Sequence, residues 1–204
     1  MVKKLSRKFY TQPTLKVAKE LLGKYLVRKL GSRKLVGKIV ETEAYIGPED
    51  RASHSFGGKV TERCKTEYLE GGHIYIYLCY GMHWQLNITT SLAGKPECVL
   101  IRALGHPLAT GPGKLCNYLK LNKSFDGEDL TKSKRVWIEN RGKRTKPSTG
   151  AKLGAGLVPH RNKVSGAGKQ QVVATKRIGI DYAGSWAKKP WRFYLKNNPF
   201  VSKI

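Results

Sequence analysis

The 204-residue sequence predicts an α+β fold, a single domain (residues 1–204) with a mainly antiparallel, mixed sheet, flanking helices and a protruding β-hairpin. Three observations carry this expectation. Strand-like and helix-like runs do not alternate regularly, so no βαβ array with a parallel sheet is expected. Strand-like runs outnumber the two helical stripes. Forty per cent of the residues are hydrophobic, enough for a real core.

Residues 1–10 read as a basic, loosely held arm. Thr11 or Thr14 can cap a helix over 13–22, with Leu15, Ala18, Leu21 and Leu22 as its buried stripe and Gly23 as its stop. Residues 25–30 and 34–45 read as strands joined at Gly31-Ser32. The second is β-branched and alternating until Gly47-Pro48 turns the chain. Alternation puts Ile39, Glu41, Glu43 and Tyr45 on one face and Val40, Thr42 and Ala44 on the other. The second set is small and largely apolar and suits a core. The first sets two carboxylates beside a phenol, although a half-solvated strand with a polar stripe reads the same way. A polar loop follows from 47 to 72 and carries His54. Loops of that length in compact domains are often functional.

Residues 73–89 read as two strands broken near Tyr80-Gly81-Met82. Tyr75, Tyr77 and Cys79 share a face. If a three-residue loop closes the pair, Tyr77 lies opposite Gln85, Tyr75 lies opposite Asn87, and Tyr80 stands at the tip. An aromatic there either packs back on its own sheet or enters something else. Residues 98–104 form a short apolar strand interrupted by Arg102, which must be paired or aimed at a polar site. Gly111-Pro112-Gly113-Lys114 opens a helix running to about 121, with Leu115 and Leu119 buried. Its glycine-rich start can bind phosphate through free amides, but the Walker A spacing is absent. Residues 131–171 carry many Lys and Arg against one acid, Glu139, and read as a basic, mobile loop insertion with one short strand at 136–138. Residues 177–195 regain an aromatic core.

Thirty-nine Lys and Arg against fourteen acids give a formal net charge of +25. Such a surface suits a polyanion better than an anionic small molecule, and nucleic acid is the expected partner. The four cysteines, Cys64, Cys79, Cys98 and Cys116, are spaced for neither zinc nor a disulfide scaffold. Cys79 and Cys98 lie in apolar runs and read as core thiols, which points to a reducing compartment. The first residues lack the apolar segment of a signal peptide, and no run of about eighteen apolar residues is present to span a membrane.

Several blocks together resemble the alkyladenine (3-methyladenine, N-methylpurine) DNA glycosylases. They are Leu21-Leu22-Gly23, Glu41-Thr-Glu-Ala-Tyr-Ile-Gly-Pro-Glu-Asp50 with Ala52-Ser-His54, Tyr75-Ile-Tyr-Leu-Cys-Tyr-Gly-Met82 with Asn87-Ile88, Val99-Leu-Ile-Arg-Ala-Leu104, Gly111-Pro-Gly-Lys-Leu-Cys116, Asn122-Lys-Ser124, and Arg177-Ile-Gly-Ile-Asp-Tyr-Ala183 with Pro190-Trp-Arg-Phe193. The resemblance implies roles. Glu43 matches the general base that activates water, and Arg102 a residue near that water. Tyr45, His54 and Tyr77 match the residues that sandwich a flipped base. Asn87 matches a pocket wall that discriminates against normal bases. Tyr80 matches the hairpin-tip residue that enters the minor groove, which makes the hairpin DNA-inserting. Met82, Lys114 and Lys123 fall in matching blocks and are expected to contact DNA. Glu41 is read as structural.

The implied activity is excision of alkylated purines from double-stranded DNA by a monofunctional, monomeric, intracellular enzyme that needs no metal or cofactor. The expected compartment is the nucleoid or cytoplasm of a prokaryote, or the nucleus of a eukaryote. A non-enzymatic nucleic-acid binder with the same fold and a glycosylase-lyase with a lysine nucleophile are the alternatives. Two stretches depart from the family pattern. Where the family has Arg-Asn, Met-Phe and Pro-Gly, this chain has Arg63-Cys64, Thr66-Glu67-Tyr68 and Gly71-Gly72. Residues 131–171 match no block of the family.

Overall fold

The computed structural model describes residues 2–141 and 171–202. In chain order the strands are β1 (Val2–Lys4), β2 (Tyr25–Leu30), β3 (Arg33–Ile46), β4 (Ile74–Cys79), β5 (His83–Thr89), β6 (Glu97–Leu104), β7 (Val136–Arg141), β8 (Val172–Thr175) and β9 (Arg192–Leu195). Among the described residues three α-helices accompany them: α1 (Arg7–Tyr10), α2 (Thr14–Leu21) and α3 (Pro112–Leu119). The strands form a single sheet in the order β1-β7-β2-β3-β6-β5-β4, and β9, with β8 beside it, branches off β3. Every pairing is antiparallel. This is a mixed α/β domain with a mainly antiparallel sheet and few helices.

β3 is long enough to change partners along its length. Its first half pairs with β2, from Leu30↔Arg33 to Tyr25↔Lys38. Its second half pairs with β9 through Glu41, Thr42 and Glu43, while β6 lies along its other edge. Gly37 is needed near the changeover, because a Cβ there would run into the Leu104 side chain. The register with β6 is irregular between Ile39 and Thr42. This irregularity corrects the simple alternation expected for the strand. Ile39 packs in the main core with Leu104, and Val40 packs apart from it with Ala103 and Leu195. From Thr42 onward the alternation holds. Ala44 belongs to the main core, and Thr42 donates to the Ala18 carbonyl at 2.9 Å.

The main core lies between this sheet and the helices. α2 contributes Val17, Ala18 and Leu21, and α3 contributes Leu115, Cys116 and Leu119. Burying each Val or Leu among these stabilises the fold by roughly 1.5–3 kcal/mol before entropy is set against it.

The first ten residues are not a loose arm. β1 pairs with β7, Tyr10 is fully buried, and Arg7 bonds Asp129 at 2.6 Å and also the Gly71 carbonyl. The 47–72 loop is likewise part of the interior. It contains short 3-10 turns at Phe56–Gly58 and Lys65–Tyr68, and it buries Ala52, Ser53, Ser55, Cys64, Thr66 and Glu67. Cys98 is a core thiol as expected, whereas Cys79 is only half-buried. The short strand expected at 136–138 extends to Arg141. Much of the mobile insertion expected at 131–171 lies outside the described residues. Among the described residues, no helix is long and apolar enough to cross a membrane.

Candidate active site

β4 and β5 pair residue for residue from Ile74↔Ile88 to Cys79↔His83, with Tyr77 opposite Gln85 and Tyr75 opposite Asn87. Tyr80, Gly81 and Met82 link them. Tyr80 has φ 51° and Gly81 φ 66°. For a bulky residue such as Tyr80 that region costs of order 1–3 kcal/mol. Tyr80 is 86% exposed and Met82 69%. A strained, exposed aromatic does nothing for the core.

Beside this link lies a cavity of about 500 Å³. Its walls come from several parts of the chain. β3 supplies Tyr45, and the following loop supplies His54, Arg63 and Glu67. β4 and β5 supply Tyr75, Tyr77, Gln85 and Asn87. β6 supplies Cys98, Leu100 and Arg102. The segment after β8 supplies Ile178, Gly179, Ile180 and Tyr182. The β6 residues that face it are even-numbered because a strand's side chains alternate. The His54 ring sits edge-on to Tyr77, centroids 4.5 Å apart, and its Nδ1 shares a 2.7 Å hydrogen bond with the Tyr75 hydroxyl. Burial, with Arg63 adding to it, lowers His54 to about 4, so the imidazole is neutral at pH 7.

Glu43 lies directly behind the cavity wall and is fully buried. The three groups that hold its carboxylate are all wall residues. The Tyr45 hydroxyl donates at 2.9 Å, Arg102 Nη1 at 3.2 Å and the Ile178 amide at 2.9 Å. Burial pushes the Tyr45 hydroxyl well above its ordinary value, and the Glu43 charge adds to that. Arg102 also donates to Glu41 at 3.2 Å. Burial works against the Arg102 charge, but Glu43 and Glu41 outweigh it and hold the guanidinium protonated. Glu41 is further fixed by Arg192 at 2.6 Å and by both the amide and the hydroxyl of Ser202. It anchors Arg102 and the C-terminal segment, which agrees with a structural reading.

Tyr45, His54, Tyr77, Asn87, Tyr80 and Arg102 all line the cavity, and Glu43 backs it. Met82 stands on the link beside Tyr80. Lys114 is exposed on α3, whose first residue, Pro112, reaches the cavity. Lys123 is not at the cavity; its ammonium pairs with Asp126 at 2.8 Å. Sequence reasoning missed four contributors: Tyr75, Glu67, Arg177 and the Ile178 amide. Tyr75 was visible through its shared face with Tyr77. Arg177 braces Asp50 through two bonds, of 2.5 and 2.9 Å, donates to the Ala44 carbonyl, and lies 4.7 Å from the Tyr45 ring centroid. No local pattern announces a pairing 127 residues apart.

A basic protein with a cavity this size, faced by tyrosine and histidine rings and backed by a fixed acid, fits the class of enzymes that act on a single base outside its stack. The family model for methylpurine-DNA glycosylase (MPG) matches residues 8–107 and 105–199, and the chain belongs to that family. It is 37% identical to the human DNA-3-methyladenine glycosylase over 98% of this chain and 68% of the human protein. It is 39% identical to a protein of Alkaliphilus oremlandii provisionally named a 3-methyladenine DNA glycosylase, over 98% of this chain and 99% of that one. A similarly named protein of Methanocella arvoryzae is 39% identical over 98% and 96%.

Proposed function

We propose that this protein is a monofunctional DNA glycosylase. It excises purines alkylated at a ring nitrogen from duplex DNA and leaves an abasic site, as the first step of base-excision repair. The observation that carries the reading is the Glu43 carboxylate, clasped by Tyr45, Arg102 and the Ile178 amide at the back of the aromatic cavity.

The geometry supports the following chemistry. A stacked base cannot reach the cavity, so it is rotated out, at a cost of a few kcal/mol that is smaller for a damaged base. Tyr80 enters the gap and recovers part of that cost by stacking, worth roughly 1–3 kcal/mol. Met82 follows it, and Lys114 and Lys123 hold the phosphates. Tyr45, Tyr77 and neutral His54 enclose the base. Ring methylation makes the purine cationic, and aromatic faces attract a cation by about 0.5–2 kcal/mol. Asn87 presents its amide to the base edge. The charged purine is a good leaving group. As its bond to C1′ lengthens, Glu43 stabilises the oxocarbenium-like sugar and takes a proton from the attacking water. Arg102 holds Glu43 in place and balances its charge.

A single-turnover assay on a duplex with one methylated purine tests this. Release of the free base with an intact abasic strand, and no borohydride-trappable protein–DNA adduct, is expected. A trapped adduct identifies a lysine nucleophile instead. Binding without base release identifies a non-enzymatic DNA-binding protein.

A further inference from the structure

The protein treats its buried acids uniformly, with one exception. Glu41, Glu43, Asp50 and Glu139 each form an ion pair with an arginine. Glu67, only 2% exposed, has no such pair, and among the described residues it is the buried acid without one. Its Oε1 accepts from the Cys98 thiol at 3.5 Å, and its Oε2 has no hydrogen-bond partner among the described residues. An unpaired buried carboxylate is costly. A chain of net charge +25 has no shortage of cations to supply. Yet this acid forms part of the wall of the base-sized cavity, beside Asn87 and Cys98. It also falls in the segment where the chain departs from the family pattern.

We propose that Glu67 is a specificity-determining residue whose buried carboxylate takes its counter-charge from the substrate, so that the cavity favours cationic N-alkylpurines over neutral damaged purines. This rests on the glycosylase reading above. Aromatic faces attract a cation weakly, whereas a carboxylate in a low-dielectric wall attracts it strongly and does far less for a neutral purine. Burial raises the Glu67 carboxyl to about 7, with the Cys98 thiol opposing the rise and Asp50 assisting it. It therefore titrates near neutrality, where the arrival of a cation favours its ionised form. With a cationic base in the cavity it gains the partner that the protein withholds.

The test compares single-turnover excision of 3-methyladenine and 7-methylguanine with that of hypoxanthine, a neutral purine, in the wild type, Glu67→Gln and Glu67→Met. Both variants remove the charge, the first with the shape kept. The ratio of cationic to neutral excision is expected to fall at least tenfold in both. An unchanged ratio, or equal losses on both kinds of lesion, overturns the proposal and leaves the glycosylase reading standing. Loss of fold in both variants assigns Glu67 a structural role and also overturns it. Failure of the wild type to excise any methylated purine brings down the glycosylase reading and this one with it.

Discussion

Glu43 is met by a guanidinium, a phenol and a backbone amide, whereas Glu67, buried at the same cavity, is met by a thiol at one oxygen and by no hydrogen-bond partner among the described residues at the other. The difference is one of purpose. A buried carboxylate with its counter-ion inside the protein is held in place by it, and its charge is largely spoken for. Such a group can be aimed, as a base must be. A buried carboxylate without a counter-ion destabilises the empty protein and pays that back only when a ligand brings a cation. The first arrangement fixes a position and the second waits for a substrate.

The largest effect belongs to the aimed acid. Glu43→Gln keeps the shape and removes the proton acceptor, and single-turnover excision of a methylated purine should fall about 10²–10⁴-fold or more. Affinity for lesion duplex, measured by gel shift or fluorescence anisotropy, should stay close to wild type. Excision at the wild-type rate by this variant would remove Glu43 from the chemistry.

Stability separates the two acids next. Arg102→Met removes the guanidinium that Glu43 and Glu41 share, and breaking a buried pair from one side costs roughly 3–5 kcal/mol. Glu67→Met removes an acid with no cation to orphan and should have the opposite sign. The Glu67 carboxyl titrates at about 7 in the folded chain against an ordinary 4.5. The folded state therefore binds more protons than the unfolded one between those values. The stabilisation is complete below pH 4.5 and is lost as pH rises through 7. A shift of that size corresponds to about 3 kcal/mol. Urea unfolding should find Glu67→Met and Glu67→Gln more stable than wild type by up to about 3 kcal/mol at pH 8, with the gap closing by pH 4. His54, lowered to about 4 by burial and Arg63, works against stability on the acid side. Its contribution is present above 6.5 and is lost as pH falls toward 4. The wild-type curve should therefore be flatter across that interval than the curve of Glu67→Gln.

These acids also show what the sequence makes legible. Glu43 was readable because period-two alternation places it beside Tyr45, and the cross-strand pairs Tyr75↔Asn87 and Tyr77↔Gln85 follow from a three-residue link. The same rule misplaced Ile39 and Val40. They sit where β3 leaves β2 for β9, and a change of partner has no signature in the strand's own residues. The opening residues read as a free arm because what ties them down, β7 and Asp129, is more than a hundred residues away. Glu67 was invisible as a site residue for a related reason. It sits in a polar loop with no period, and its burial comes from a 3-10 turn packing against β4, β5 and β6.

The smallest effect concerns the link between β4 and β5. Tyr80 occupies a left-handed backbone conformation, φ 51°, that glycine adopts without penalty. Tyr80→Gly should therefore stabilise the free protein by about 1 kcal/mol, read as a higher urea midpoint with an unchanged slope. The same substitution deletes the group proposed to fill the vacated base site. Affinity for lesion over undamaged duplex should fall by an amount corresponding to the loss of one stacked ring, roughly 1–3 kcal/mol. Tyr80→Ser should cost the same selectivity without the gain in stability, because serine keeps the backbone penalty. A strained residue kept for packing would behave differently: its removal would lower stability and leave selectivity alone. Opposite signs in the two measurements on Tyr80→Gly identify strain that is retained for DNA rather than for the fold.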